Sequence, residues 1–413
     1  MKLVGGGARA EWRAHWPVVL AACSGVAIST INTYSLGVFM QPLQHEFGWG
    51  RAGIASGQMI AGVATVVLAP LMGGMVDRFG PRRIGIPGVA LLCGLTALLS
   101  TAGPTLRSWQ GLWVLLALIN VAILPNVWTA AVSSLFTAGR GLALAVTLCG
   151  SGLGSMITPV LTVHLVDSLG WRHAYVGLAA TWGLVVIPLL IVCFHGSHDR
   201  SGFQPPGRHG APEHMRLATA AAVLLNSTFL RLAVAALLIA SVVVPLGVTL
   251  VPILSSRGIA REQAASIASL MGVTAIIGRL TIGYLLDRIN ARLVAAVAVS
   301  IPIASCLLLI AFPGSTIAAT AAVLTTGLAL GAELDIVAYL ASRYFSLARF
   351  GLVFGTLAGL ITLGAGGLGP LALNSVFDHL HSYVPALWIA IPMCLVSSLM
   401  FLTMGPYPAE PIR

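Results

Sequence analysis

The amino-acid sequence predicts an all-α membrane protein, with twelve transmembrane helices in two six-helix, pseudo-symmetric bundles. Three observations carry that prediction. Of 413 residues, 57% are hydrophobic and only 8% are charged, with a mean hydropathy of +0.95; a soluble domain carries charge on about a quarter of its residues. Windows of about 20 apolar residues, enough to cross a hydrocarbon core about 30 Å thick, can be placed twelve times. Features of the first half also return in the second, as Arg51 does at Arg261, 261 minus 51 or 210 positions on.

The expected spans run over 17–40, 52–76, 84–102, 109–136, 141–166, 172–194, 231–254, 263–286, 292–312, 316–342, 350–376 and 384–404. Charge, glycine or proline punctuates each gap. Arg13 precedes the first span and Arg51 opens the second. The cluster from Asp77 to Arg83 parts the second from the third, and Arg107, Arg140 and Arg172 stand before the fourth, fifth and sixth. In the second half Arg231 opens the seventh, Arg257 and Arg261 precede the eighth, and Asp287 to Arg292 separate the eighth from the ninth. Arg343 and Arg349 lie between the tenth and eleventh.

The expected domains are an N-terminal six-helix bundle over 1–194, a connector over 195–230 and a C-terminal six-helix bundle over 231–413. The connector is polar and rich in Pro and Gly, which reads as a cytoplasmic loop. The repeat supports the division: Arg51, Gly62, Gly73, Asp77, Arg78 and Arg82 recur as Arg261, Gly272, Gly283, Asp287, Arg288 and Arg292. Six spans per half preserve orientation, so the halves are expected to be parallel repeats about an axis along the membrane normal.

The formal charge of +10 comes from 22 basic and 12 acidic residues. Nearly all the basic residues sit in short breaks between apolar runs, a pattern of membrane orientation and not of a phosphate-binding face. No nucleic-acid partner is expected. Arginine is denser at the ends that share a face with the termini, which predicts cytoplasmic termini in a multi-pass protein of the cell inner membrane. The six cysteines stand singly in apolar runs, without the spacing of a disulfide framework or zinc site. His195, His198 and Asp199, and likewise His379 and His381, read as solvated loop residues, so no metal and no cofactor is expected.

The run Gly73-Gly74-Met75-Val76-Asp77-Arg78-Phe79-Gly80-Pro81-Arg82-Arg83, with a degenerate copy at Gly283 to Arg288, resembles the loop signature of the major facilitator superfamily. With twelve spans, a central connector and the duplication, the resemblance covers essentially the whole chain. It implies the major facilitator fold and transport by alternating access. Glycine lets helices approach closely, and an acid at a helix end can pair with arginine or meet another helix dipole. Asp77, Arg78, Asp287 and Arg288 are therefore assigned to gating; a static clamp is the alternative.

A full charge in the hydrocarbon centre costs about 3 kcal/mol or more. Three groups bear that cost: Arg279 in the eighth span, and Glu333 and Asp335 in the tenth. Their counterparts in the first half, Ala69, Ile123 and Pro125, are uncharged, so the fold does not require charge there and function is the stronger explanation. Arg279 lies 287 minus 279, or 8, residues from Asp287, and Asp335 lies 343 minus 335, again 8, from Arg343. Both are then about 12 Å deep, and an Arg279–Asp335 pair is expected. Glu333, about 200° around the helix from Asp335, cannot face the same cavity squarely; Asp335 is favoured as the cavity-facing acid, and both are candidates for proton coupling.

Arginine offers a carboxylate a two-pronged, permanently charged fork. A desolvated carboxyl can exchange a proton, since burial favours its neutral form and a nearby guanidinium its ionised form. Within the superfamily, Gly278-Arg279-Leu280-Thr281-Ile282-Gly283 resembles the eighth-helix setting of monocarboxylate porters and oxalate:formate antiporters, and 39–51 is similar to the end of their first helix. That resemblance implies that Arg279 binds a substrate carboxylate. The chain departs from it in having no cation in the eleventh span, which disfavours a dicarboxylate, and it also lacks the acidic-Gly-Gly-Trp opening of animal monocarboxylate carriers. The superfamily's cavity-lining helices further imply Asn32, Tyr34, Asn126, Trp128 and Tyr339 as substrate contacts, each with a plain helix-bridging alternative.

The expectation is a secondary active transporter of a small organic monocarboxylate, coupled to protons and working as a monomer in the lipid bilayer. Proton-driven efflux of drugs or other metabolites is the alternative, although a fixed cation would repel cationic drugs. A sugar carrier and a substrate-sensing receptor are further readings. An enzyme is not expected, because the ten histidines lie at loops or span ends and no nucleophile stands beside a base.

Overall fold

The computed structural model describes residues 5–137, 139–196, 225–286, 288–345 and 347–405. Most of the expected connector and Asp287 lie outside the described residues, as do the side chains of Asp77 and Arg349. Every regular element described is helical. Among the described residues, eleven helices are long and apolar enough to cross a membrane. One of them, Arg140–Cys193, has 54 residues, which at 1.5 Å per residue would reach about 80 Å. It holds two spans, the fifth and sixth, which meet at Gly170 with φ 75° and ψ 161°. That left-handed conformation favours glycine, and it brings the count to twelve.

Several spans begin where a polar side chain caps free amides. Thr105 accepts from the Ser108 N–H before the fourth, Asn226 from Thr228 before the seventh, Asn290 from Arg292 before the ninth and Ser315 from Ala318 before the tenth. Other spans are interrupted. The first runs Gly5–Ser29 and Ile31–Phe47, offset at Thr30. The fourth runs Leu106–Asn120, a 3-10 turn at Val121–Ile123, and Pro125–Leu135. Proline cannot donate a backbone hydrogen bond, so the ladder breaks at extended Leu124; the Trp128 indole takes up the freed Ile123 carbonyl at 2.9 Å. The seventh runs Ser227–Val248 and Leu250–Ser255. In the eleventh, a π-helical turn at Leu363–Leu368 joins Leu347–Thr362 to Gly369–Leu380.

The two halves meet along glycine. A Cβ on Gly272 of the eighth span (Arg261–Leu286) would run into the Gly152 carbonyl of the fifth, and one on Gly62 of the second (Arg51–Phe79) would lie 3.2 Å from the Gly367 nitrogen of the eleventh. Gly62 and Gly272 are repeat equivalents, so one contact, second on eleventh and fifth on eighth, is made twice. A Cβ on Gly37 of the first span would likewise meet the Val248 carbonyl of the seventh.

Candidate functional site

The tenth span, Thr316–Tyr344, lies along the eighth in a fixed register. Gly327 packs on Met271 and Gly331 on the Ala275 carbonyl, each so closely that a Cβ would clash. Both pairs are 56 positions apart (327 minus 271, 331 minus 275), and the next pair in the series is Asp335 with Arg279. Small residues two turns and one turn away therefore bring these charges together. Arg279 Nη1 stands 3.5 Å from Asp335 Oδ1, with side chains 10% and 26% exposed. The expected pair is present, but Nη1 is buried without a hydrogen-bond partner. An ion pair held by attraction alone in a low-dielectric setting leaves the guanidinium under-satisfied.

Arg279 faces the other half. It lines a crevice of about 10 Å³ with Cys149, Ser151 and Gly152 of the fifth span and Gly331 of the tenth. That volume is at the lower limit for one water, so the pair becomes accessible to anything larger only if the halves part. Tyr34 of the first span is 7% exposed and lies within electrostatic reach of both Glu333 and Arg279. Glu333 is 5% exposed, and its Oε1 has no hydrogen-bond partner. The two acids thus differ as the 200° argument requires: Asp335 faces the cation and Glu333 is enclosed in helix packing.

Other residues selected from the sequence are placed elsewhere. Asn32 Nδ2 donates to Thr96 Oγ1 of the third span (Pro81–Leu98) at 2.9 Å, within one half. Trp128 is fully buried and fills the space left by Gly25 and Gly85. Neither is brought to the Arg279 cluster; both bridge helices inside the first bundle. Asn126 is exposed, and Tyr339, one turn beyond Asp335, is half-buried. Arg78 and Arg288 are exposed, with guanidiniums over the rings of their neighbours Phe79 and Tyr284 at 5.3 and 4.4 Å.

The described charge contacts between the halves lie at the face opposite the termini. Asp378 accepts from the N–H of Arg51 at 2.8 Å and of Ala52 at 2.7 Å, capping the second span from the other half. The Arg51 guanidinium donates to the Tyr383 hydroxyl at 2.6 Å and lies 3.8 Å over Phe377. At the equivalent place, Arg261 pairs with Asp167 at 3.1 Å and donates to the Val38 carbonyl at 2.8 Å. Sequence reasoning noted the two arginines as a repeat but missed the acids. The signal was available: 378 minus 167 is 211, nearly the same offset. It also passed over Gln58, two turns along from Arg51, whose buried amide has no partner on either atom. Burial pushes the Tyr383 hydroxyl up to about 12, against the opposing pull of Arg51.

Comparison with known proteins agrees with this architecture. The sequence profile of the Major Facilitator Superfamily matches residues 22–346. Monocarboxylate transporter 12 of Homo sapiens is 28% identical over 294 residues, covering 66% of this chain and 57% of that protein, so the chain spans less than two thirds of that relative's length. The fujikurins efflux protein of Gibberella fujikuroi is 25% identical over 400 residues, covering 94% of this chain and 82% of that protein. The solved structure of the nucleoside transporter NupG matches with a TM-score of 0.76 at 13% identity, over 95% of this chain and 99% of that one, a likeness of fold alone. With the profile covering more than three quarters of the sequence, and twelve spans joined through paired glycine contacts between two halves, the chain belongs to the Major Facilitator Superfamily.

Proposed function

We propose that this protein carries a small organic monocarboxylate across the membrane by alternating access, coupled to protons. The supporting observation is Arg279: a guanidinium buried between the halves, facing one carboxylate at 3.5 Å and still short of a hydrogen bond. A substrate carboxylate satisfies it with two parallel bonds, which are shorter and stronger than the pair it replaces. Substrate then competes with Asp335, and a proton on Asp335 frees Arg279 to take the anion. Tyr34 and Tyr339 flank that exchange, and Glu333 is the second candidate for the proton. The resemblance to monocarboxylate transporter 12 supports the anion. On this reading the protein acts as a monomer in the cell inner membrane with cytoplasmic termini, and the face bearing Arg51 and Arg261 is the outer one.

Reconstituted protein is to be assayed with labelled lactate, pyruvate, formate, oxalate and neutral sugars, with and without a pH gradient. Uptake of a monocarboxylate that rises with an inward proton gradient and vanishes in Arg279→Ala is the expected result. Equal uptake by wild type and Arg279→Ala would remove the assigned role. Efflux is the second reading, because the efflux relative aligns with more of this chain than the monocarboxylate relative does, 94% against 66%. Extrusion of lipophilic compounds without anion transport would favour it.

A further inference from the structure

A cavity of about 420 Å³ opens on the face opposite the termini, between the outer half of the first span and the short helix Leu250–Ser255 of the seventh. Its size lies within the ~300–1,000 Å³ range of small-molecule sites. Arg51 and Arg261, which begin repeat-equivalent helices, both line it, with Gln41, His45, Ser255 and Ser256. Among the described residues no carboxylate lines it, and the Ser255 hydroxyl in its wall is buried without a partner. Both arginines have protein partners, yet neither fork is wholly used: Arg261 spends Nη1 on Asp167 and Nη2 on Val38, and Arg51 spends Nε on Gln44 and Nη1 on Tyr383.

The floor of this cavity is the closure between the halves. Gly37 and Val38 line it, with Gly37 against the Val248 carbonyl and the Val38 carbonyl held by Arg261. Tyr34 is one turn deeper than Val38, about 6 Å along the helix, and reaches Arg279 electrostatically. Cavity, floor, Tyr34 and Arg279 therefore follow one another inward.

We infer that this cavity is a vestibular binding site for the small organic carboxylate, separate from the Arg279 site, in which the anion engages Arg51 and Arg261. An anion there competes with Asp167 for Arg261 and loosens the hold of Arg261 on Val38, so that occupancy of the vestibule favours opening of its floor. The inference rests on the carboxylate reading for the identity of the ligand, but the two fail separately.

The test labels Ser256→Cys with a membrane-impermeant charged thiol reagent. All six native cysteines are buried or half-buried, so wild type serves as the blank. Lactate, pyruvate and formate are compared with their neutral amides as protectants. One of the acids is expected to slow labelling about threefold at a concentration of about twice its dissociation constant, because protection scales as 1 + [L]/Kd. The amides should not protect, and protection by the acid should persist in Arg279→Ala. As a second variant, Gln41→Glu places a negative charge beside the arginines; it should abolish protection, while Gln41→Asn retains it. Labelling indifferent to all three acids, equal protection by acid and amide, or protection lost with Arg279→Ala would each overturn the vestibular site. Transport without protection leaves the Arg279 reading standing and removes the vestibule; protection without transport does the reverse.

Discussion

Arg279 and Asp335 are held in mutual dependence by their surroundings. Truncating one partner of a buried pair strands the other, at a cost of about 3–5 kcal/mol; the 26% exposure of Asp335 moves the cost of Arg279→Ala toward the lower end. Arg279→Ala should therefore lower the melting temperature as well as abolish carboxylate transport, and Arg279→Ala/Asp335→Ala should recover stability without activity. A double variant no more stable than the single one would show that the pair carries no structural coupling. Arg279→Lys keeps the charge but loses the two-pronged geometry, and is expected to transport with a KM raised about tenfold or more. Asp335→Asn should still exchange substrate across the membrane yet fail to accumulate it against a gradient; uphill accumulation at wild-type levels would clear Asp335 of coupling.

The spans make their contacts through missing side chains and breaks. Gly272 has no room for a Cβ beside the Gly152 carbonyl, so Gly272→Val should hold the fifth and eighth spans apart. The expected signature is a Val38→Cys reporter, at a position 1% exposed where the halves close, that labels faster in that background than alone, with the protein still folded by thermal melt; unchanged labelling would mean that the contact does not govern closure. Trp128 packs against Gly25 and Gly85 and closes the break at Pro125. Trp128→Ala should cost about 3–5 kcal/mol of stability and leave KM unaltered. A raised KM at undiminished stability would restore Trp128 to the substrate site. Residues at such positions are hard to read from sequence. The superfamily resemblance selects helices, whereas a helix turns 100° per residue, and only packing decides which flank faces the cavity.

At the scale of the molecule, two struts hold the face opposite the termini closed, and they are repeat copies made with different chemistry. Asp378 caps main-chain amides, while Asp167 meets a side chain. Asp378→Asn keeps an acceptor but loses charge and should weaken closure moderately. Combined with Asp167→Asn it should leave that face open for a larger share of the time, read as faster labelling of a cysteine at buried Val38 in the double variant than in either single one. Tyr383 belongs to the first strut. Its ordinary value near 10 is raised to about 12, so the folded protein retains the proton longer than the unfolded chain. The stabilisation is complete below about pH 10 and lost as pH rises toward 12. Tyr383 therefore stays a neutral hydroxyl across pH 5–8, and Tyr383→Phe should leave the shape of the transport pH profile unchanged; a profile displaced by that substitution would mean the strut takes part in proton coupling.

Composition and repetition alone determined that this chain lies in a bilayer, crosses it twelve times and is built twice over, because lipid admits few ways to satisfy a backbone and duplication leaves its period in the residues. The depth of Arg279 and Asp335 was likewise legible, since rise per residue is constant along a helix. What the tertiary structure decided is azimuth and partnership: that Asn32 turns to Thr96, that Glu333 is enclosed while Asp335 meets the cation, and that, among the described residues, charges joining the halves gather around Arg51 and Arg261. Those outcomes depend on how closely helices from different halves approach, and glycines such as Gly152, Gly272 and Gly331 set that distance through what they lack, which no pattern of hydrophobicity records.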